Sequence, residues 1–248
     1  MPLISVVMPA YNAENTIAES IVSVLNQTVS DLELIICNDG SKDNTAAIIK
    51  KYMYSDNRIV FINNIEALGA AEARNLCLEK SSSRYLCFLD SDDLWHQDKL
   101  RVQLSFMTNN DLEMSHGQYE MFDSDGVVKR ILTPRKIHYA DILKRCDIGC
   151  LTVMIDSYKI GNIKFPNVPK EDYALWITIM KHGMVSVMYP GCLAYYRKQK
   201  HSISSSKVKE IKKQWNVLKY VAKISFLNRL ICVSQYCAYG FIKHYTKY

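Results

Sequence analysis

The chain has 248 residues, 48% of them hydrophobic and 23% charged, a balance that supports a sizeable core and excludes wholesale disorder. Its net charge of +6 allows an anionic partner. The excess is modest and follows no recognisable binding motif, so a nucleic-acid binder is not expected.

The stretch "LISVVMP" (residues 3–9) is a short, continuous apolar run rich in β-branched residues, the pattern of a strand buried on both faces. In the segment that follows, Ile17, Ile21, Val24 and Leu25 recur at helical spacing, with Asn12 or Asn15 available as N-cap. "ELIICND" (33–39) predicts a second strand, "GSKDNTAAIIKKY" a turn and helix, "RIVFINN" (58–64) a third strand, "GAAEARNLCLEK" (69–80) a helix and "YLCFLD" a fourth strand. Strands and helices alternating through short connections predict a parallel sheet covered by helices. Such sheets bind ligands beyond the carboxyl ends of their strands. The residues to inspect are therefore Tyr11 and Asn12, Asn38 and Asp39, Asn63 and Asn64, and Asp90 to Asp93.

Beyond residue 95 the rhythm changes. "QDKLRVQLSFM" predicts an amphipathic helix, and Ser124-Asp125-Gly126 signals a hairpin between two strands. "TVMIDSYKIG" and "VSVMYPGCLAYYRKQ" add strand-like runs that complete a mixed sheet. Residues 206–248 hold eight lysines, one arginine and one histidine against a single acid, Glu210, with apolar residues interleaved. Lys223 and Arg229 make this a poor membrane span. It suits a basic amphipathic helix on an anionic membrane surface, or one packed on the domain or on a partner.

The eight cysteines include no CxxC pair, and Cys37, Cys77 and Cys87 fall within apolar patterns. The chain opens without a leader-like pattern, so reduced thiols and a cytosolic protein are expected. Cys146 and Cys150 have no second Cys/His pair nearby, and no zinc site is expected there.

Three acidic groups stand out: Asp39, Asp90 with Asp92 and Asp93, and Glu171 with Asp172. A DxD at a strand end suits a hard divalent cation that keeps some waters and grips a diphosphate. It equally suits a hydrated turn, with Asp92 or Asp93 capping the following helix. Likewise Glu171 and Asp172 fit the first turn of a helix for dipole reasons alone.

The segments "PLISVVMPAYNAENTIAESIVSVLNQT", "LELIICNDGSKDNT", "GAAEARN" and "FLDSDD" resemble, in order and spacing, the family 2 glycosyltransferases, closely over about residues 2–110 and more loosely at "KEDYALW". The resemblance implies a GT-A fold: a Rossmann-like α/β architecture with a mixed, mostly parallel sheet. Residues 1–205 would form the catalytic domain, with 1–110 as the nucleotide-sugar-binding half, 111–205 as the acceptor-binding half and 206–248 as the helical tail. It implies inverting transfer from a nucleoside diphosphate sugar, UDP favoured, to a glycan or polyprenyl-pyrophosphate-linked acceptor of bacterial surface polysaccharide synthesis. Tyr11 would pack on the base, with Pro9 and Asn12 shaping its loop. Asp39 would bond the base and Gly40 permit the turn. Arg74 would face base or phosphates, Asp90 the ribose or a metal-bound water, and Ser91 the donor. Asp92 would ligate Mn²⁺ or Mg²⁺, and Asp93 would hold the turn. Asp172 would be the base, with Glu171 orienting the acceptor. In "YYRKQKHSIS", Arg197 or Lys200 would cover the diphosphate and His201 would join the metal.

A sugar nucleotidylyltransferase would carry a glycine-rich loop after the first strand, and "VVMPAYNAEN" has no glycine. A degenerate donor-binding scaffold would not be expected to keep Asp92 and Asp172. The expected location is the cytoplasmic face of the cell membrane, held peripherally by the tail.

Overall fold

The computed structural model describes residues 1–198 and 207–245. The strands are β1 (Ile4–Ala10), β2 (Leu32–Asp39), β3 (Ile59–Asn64), β4 (Tyr85–Phe88), β5 (Leu94–Trp95), β6 (Met114–Asp123), β7 (Gly126–Ile131), β8 (Lys136–Ile137), β9 (Met154–Asp156) and β10 (Ser186–Arg197). The helices are α1 (Ile17–Leu25), α2 (Thr45–Ser55), α3 (Ala70–Lys80), α4 (Lys99–Asn109), α5 (Tyr139–Ile142), α6 (Ser157–Ile160), α7 (Glu171–Met180), α8 (Lys207–Tyr220) and α9 (Phe226–Tyr245).

The strands form one sheet in the order β3-β2-β1-β4-β9-β6-β10-β5, with β7 on β6 and β8 on β10. The first four are mutually parallel, β9 runs antiparallel to both β4 and β6, and β10 runs parallel to β6. The chain leaves β1 towards β2 on one side and returns to β4 on the other. That reversal opens a crevice at the carboxyl ends of β1 and β4.

Alternation explains the continuous apolar strands. Val7, Ile35, Cys37, Leu86 and Phe88 point to the face covered by α3 and α7. Val6, Met8, Leu34, Ile36 and Cys87 point to the face covered by α1 and α4. The hairpin turn at 124–126 forms as expected, with Asp123 opposite Gly126.

Two local expectations change. The N-cap of α1 is Thr16, not Asn12 or Asn15; Asn12 sits at φ 48° instead, its amide donating to Ser41 Oγ and its Oδ1 accepting from the Lys42 amide. The strand in "TVMIDSYKIG" stops at Asp156, because its carboxylate accepts from the Tyr158 amide and starts α6. The tail packs on the domain where it begins: Val217 and Leu218 of α8, Ala222 between the two helices and Cys232 of α9 are buried in the same cluster as Tyr173, Leu175 and Trp176 of α7. Among the described residues no helix is long and apolar enough to cross a membrane.

Candidate active site

A cavity of about 710 Å³ lies at the crevice between β1 and β4. Its walls are three loop ends and one helix: Pro9–Thr16 after β1, Asp39 at the end of β2, Asp90–Asp92 after β4, and Gly69–Arg74 at the start of α3. The loops are tied to each other. The Glu14 amide donates to Asp43 Oδ2 at 3.0 Å, and the Asn44 amide donates back to Glu14 Oε2 at 3.0 Å. Thr16 Oγ1 donates to the Ser91 carbonyl at 2.9 Å and anchors the acidic turn to α1.

Of the residues expected to bind a donor, Pro9, Tyr11, Asn12, Asp39, Arg74, Asp90, Ser91 and Asp92 all line this cavity. Tyr11 is 56% exposed, an uncommitted ring at the mouth. Asp39 also braces the backbone. Its two carboxylate oxygens accept from the Leu68 and Gly69 amides at 2.7 and 2.8 Å, so it holds the loop that launches α3. Gly40 has φ +70°, and a Cβ there would lie 2.7 Å from the Ala67 backbone nitrogen. Both the conformation and the close approach demand glycine.

Arg74 is not a surface arginine of its helix. It is 5% exposed, stacks at 5.3 Å over the Phe165 ring, and bonds Asp90 Oδ1 at 2.6 Å and Glu171 Oε1 at 2.7 Å. Asn75 exchanges two hydrogen bonds with the Phe165 backbone and fixes that ring beneath the guanidinium. Arg74 therefore keeps two neighbouring carboxylates apart and compensated.

Behind Arg74 a second cavity of about 570 Å³ opens, lined by Asp90, Glu171 and Asp172 together with Tyr119, Asp147, Cys150, Tyr196 and Glu210. The Asp172 carboxyl is raised above the usual carboxylate range, chiefly by burial, with the charges of Glu171 and Asp90 adding to it. Its Oδ1 accepts from the Tyr173 amide at 2.7 Å.

One expectation at this rim is corrected. Asp93 caps no helix: α4 begins behind Asp98, and the Asp93 carboxylate is buried against β10, accepting from the Arg197 amide at 2.9 Å. Desolvation, then the charges of Asp90 and Asp92, push its carboxyl well up. Arg197 is not among the residues lining the first cavity; its guanidinium donates to the Asp92 carbonyl, pairs with Glu19 and stacks over Phe122. Lys200 and His201 lie outside the described residues.

Among the described residues no group of three His, Cys, Asp or Glu side chains could hold a metal alone, and Cys146 and Cys150 form no such site. Asp90 and Asp92 offer hard oxygen donors on one wall. That set fits a Mg²⁺ or Mn²⁺ ion that keeps waters and takes its remaining ligands from substrate phosphates, and it does not fit an all-protein cage. Trp176 is a core residue packed on Phe88 and Phe165, and Trp95 donates its indole N–H to the Leu151 carbonyl beside the site.

Tyr119, Asp147, Cys150 and Tyr196 were not legible as site residues. They come from β6, the 146–151 loop and the end of β10, and no short motif joins them.

Comparison with known proteins agrees with this geometry. The profile of glycosyl transferase family 2 matches residues 5–163. The chain is 43% identical over 247 residues, 99% of its length and 96% of the relative's, to the UDP-Glc:alpha-D-GlcNAc-diphosphoundecaprenol beta-1,3-glucosyltransferase WfgD of Escherichia coli. It is 41% identical over 95% of its length, and 94% of the relative's, to the putative teichuronic acid biosynthesis glycosyltransferase TuaG of Bacillus subtilis. In fold it resembles S. aureus TarS in complex with UDP-GlcNAc (TM-score 0.71, 17% identity, covering 95% of this chain and 71% of that one). It also resembles the mannosyltransferase PcManGT of Pyrobaculum calidifontis with GDP-Man and Mn²⁺ (TM-score 0.70, 13% identity, covering 100% of this chain and 76% of that one). The chain has the GT-A fold and belongs to the family 2 glycosyltransferases.

Proposed function

We propose that this protein transfers a hexosyl group, with inversion, from a UDP-sugar to a hydroxyl of a sugar carried on a polyprenyl diphosphate. The observation that carries this reading is the meeting of two cavities at Arg74, Asp90 and Glu171, with Asp172 in the second only. A donor held in the first cavity presents its anomeric carbon towards the second, so an acceptor hydroxyl there attacks from the face opposite the leaving diphosphate. Asp172 takes the hydroxyl proton, and its raised carboxyl pKa suits proton abstraction better than an ordinary carboxylate would. Glu171 orients the acceptor and, through Arg74, is held against Asp90.

On the donor side Tyr11 receives the base, Asp39 and Gly40 keep its pocket open, and Asp90 with Ser91 meets the ribose. Asp92, with Asp90, would hold Mn²⁺ or Mg²⁺, which when bound supplies positive charge to the departing diphosphate.

The relatives WfgD and WfaP of Escherichia coli carry names that specify UDP-Glc and GlcNAc-diphosphoundecaprenol. UDP-glucose with a synthetic GlcNAc-diphospho-lipid is therefore the first pair to assay. Mn²⁺-dependent transfer that Asp172→Asn abolishes is expected, and UDP should still raise the melting temperature of the variant. No transfer to any diphospholipid-linked sugar across a panel of UDP-hexoses would overturn the reading and favour a donor-binding scaffold.

We further propose peripheral docking on the anionic inner face of the cell membrane. Leu227, Leu230 and Ile231 are exposed at helical spacing on α9, with Lys223 before it and Arg229 among them. Changing all three to Glu should release the protein from anionic vesicles; unchanged partitioning would remove this part of the reading. Deleting the whole tail is a poorer test, since it would strip Val217 and Leu218 from the core.

A further inference from the structure

The residue immediately before Glu171 and Asp172 is in an unusual state. Lys170 has left-handed backbone geometry, φ 62° and ψ 52°, without being glycine, asparagine or aspartate. Such a conformation persists only where surrounding contacts impose it. Its carbonyl accepts the first helical hydrogen bond of α7, from the Ala174 amide at 2.9 Å, so its backbone orientation sets the direction of the turn that carries both carboxylates.

The contacts that impose it come from the C-terminal helices. Lys170 Nζ donates to Tyr236 Oη of α9 at 3.1 Å, sits 4.7 Å from the centre of that ring, reaches Gln214 Oε1 of α8 at 3.4 Å and pairs with Glu210 at 3.4 Å. The side chain is 15% exposed. Gln214 is fully buried and donates from its other end to Tyr173 Oη at 2.6 Å, which in turn donates to the Ile142 carbonyl. Glu210 also lines the cavity that holds Asp172. Two helices from the end of the chain thus grip the residues on either side of the acidic pair.

We infer that Lys170, clamped by Tyr236, Gln214 and Glu210, is a positioning residue that aims Glu171 and Asp172 into the acceptor cavity, and that α8 and α9 are by this route part of the transfer machinery. The inference rests on the reading of Asp172 as base. A misaim of about 1 Å can cost on the order of 100-fold in turnover, so the clamp is expected to show in kcat and not in donor binding.

The test compares Lys170→Ala, Lys170→Arg and Tyr236→Phe in the full chain. It uses UDP for binding, and UDP-glucose with the synthetic GlcNAc-diphospho-lipid for transfer. Lys170→Ala should lower kcat at least about tenfold, leave UDP affinity and the donor KM unchanged, and speed hydrogen exchange at the Tyr173 and Ala174 amides but not in α3. Lys170→Arg, which keeps the cation, should recover most of the rate, and Tyr236→Phe should fall between. Native kcat with native exchange in Lys170→Ala, or equal damage in the Ala and Arg variants, overturns the clamp. An active Asp172→Asn overturns the base assignment instead. If the native chain does not use this donor and acceptor, the exchange comparison still decides whether the clamp exists.

Discussion

The two cavities that meet at Arg74 are built on different plans. The first cavity is walled by loops that satisfy one another: Asn12 with Ser41 and Lys42, Glu14 with Asp43 and Asn44, Asp39 with the backbone of Leu68 and Gly69. These bonds hold its walls to one another. The second cavity is lined instead by ionisable groups crowded together, among them Asp90, Asp93, Asp147, Glu171, Asp172 and Glu210. Its carboxyls repel one another and are desolvated, which is what raises Asp172 and Asp93. One side supplies shape, the other chemistry, and substitutions on the two sides should fail differently.

The largest effect is expected from Asp172→Asn: a loss of about 10³-fold or more in kcat with UDP affinity unchanged, checked by transfer assay and calorimetry. In the native protein the acid limb of kcat should lie above the ordinary carboxylate range. Activity is lost as pH falls through the raised pKa of Asp172, because the base must be ionised to act. An acid limb at the usual carboxylate value would count against this assignment. Next, Asp92→Asn should lower transfer by about 10²-fold and abolish the Mn²⁺-dependent part of UDP binding, a donor-side failure read in affinity as much as rate. Gly40→Ala should cost about 1–3 kcal/mol of stability, since it meets both a positive φ and backbone at 2.7 Å. It should weaken UDP binding while leaving the acid limb of kcat where it was.

The smallest effect is a gain. Asp93 is buried with its carboxyl raised, so as pH climbs past the ordinary carboxylate value the unfolded chain ionises and the folded chain resists. Stability drains away across that window. Asp93→Asn keeps an acceptor for the Arg197 amide without the buried charge. It should raise the melting temperature by a few degrees at neutral pH and by nothing below the usual carboxylate range. A melting-temperature series against pH checks this directly.

The first cavity was legible in the sequence because its lining positions follow strand ends within short segments. The stretches around Pro9, Asp39, Arg74 and Asp90 carry their own spacing, and the parallel order of the strands brings them to one rim. Even there, the sequence could not show that Asp39 braces α3 or that Arg74 is buried between two carboxylates, since both depend on contacts across distant loops. The partners of Arg197 were equally hidden, since its contacts with Glu19 and the Asp92 carbonyl join distant segments. In the acceptor half the lining residues arrive from β6, β10, α7, α8 and the 146–151 loop. Nothing local marks Tyr119 or Cys150. Lys170 was equally silent, because a left-handed lysine has no sequence signature.

The burial of Val217 and Leu218 against α7 has a bearing on how such enzymes can be recombined. A chimaera joined at residue 205, where composition turns basic, would separate side chains that each contribute about 1.5–3 kcal/mol by burial from the surface they cover. It would also hand the Glu171–Asp172 turn a foreign set of neighbours. Acceptor-swapping designs should carry α7, α8 and α9 across together as one cassette.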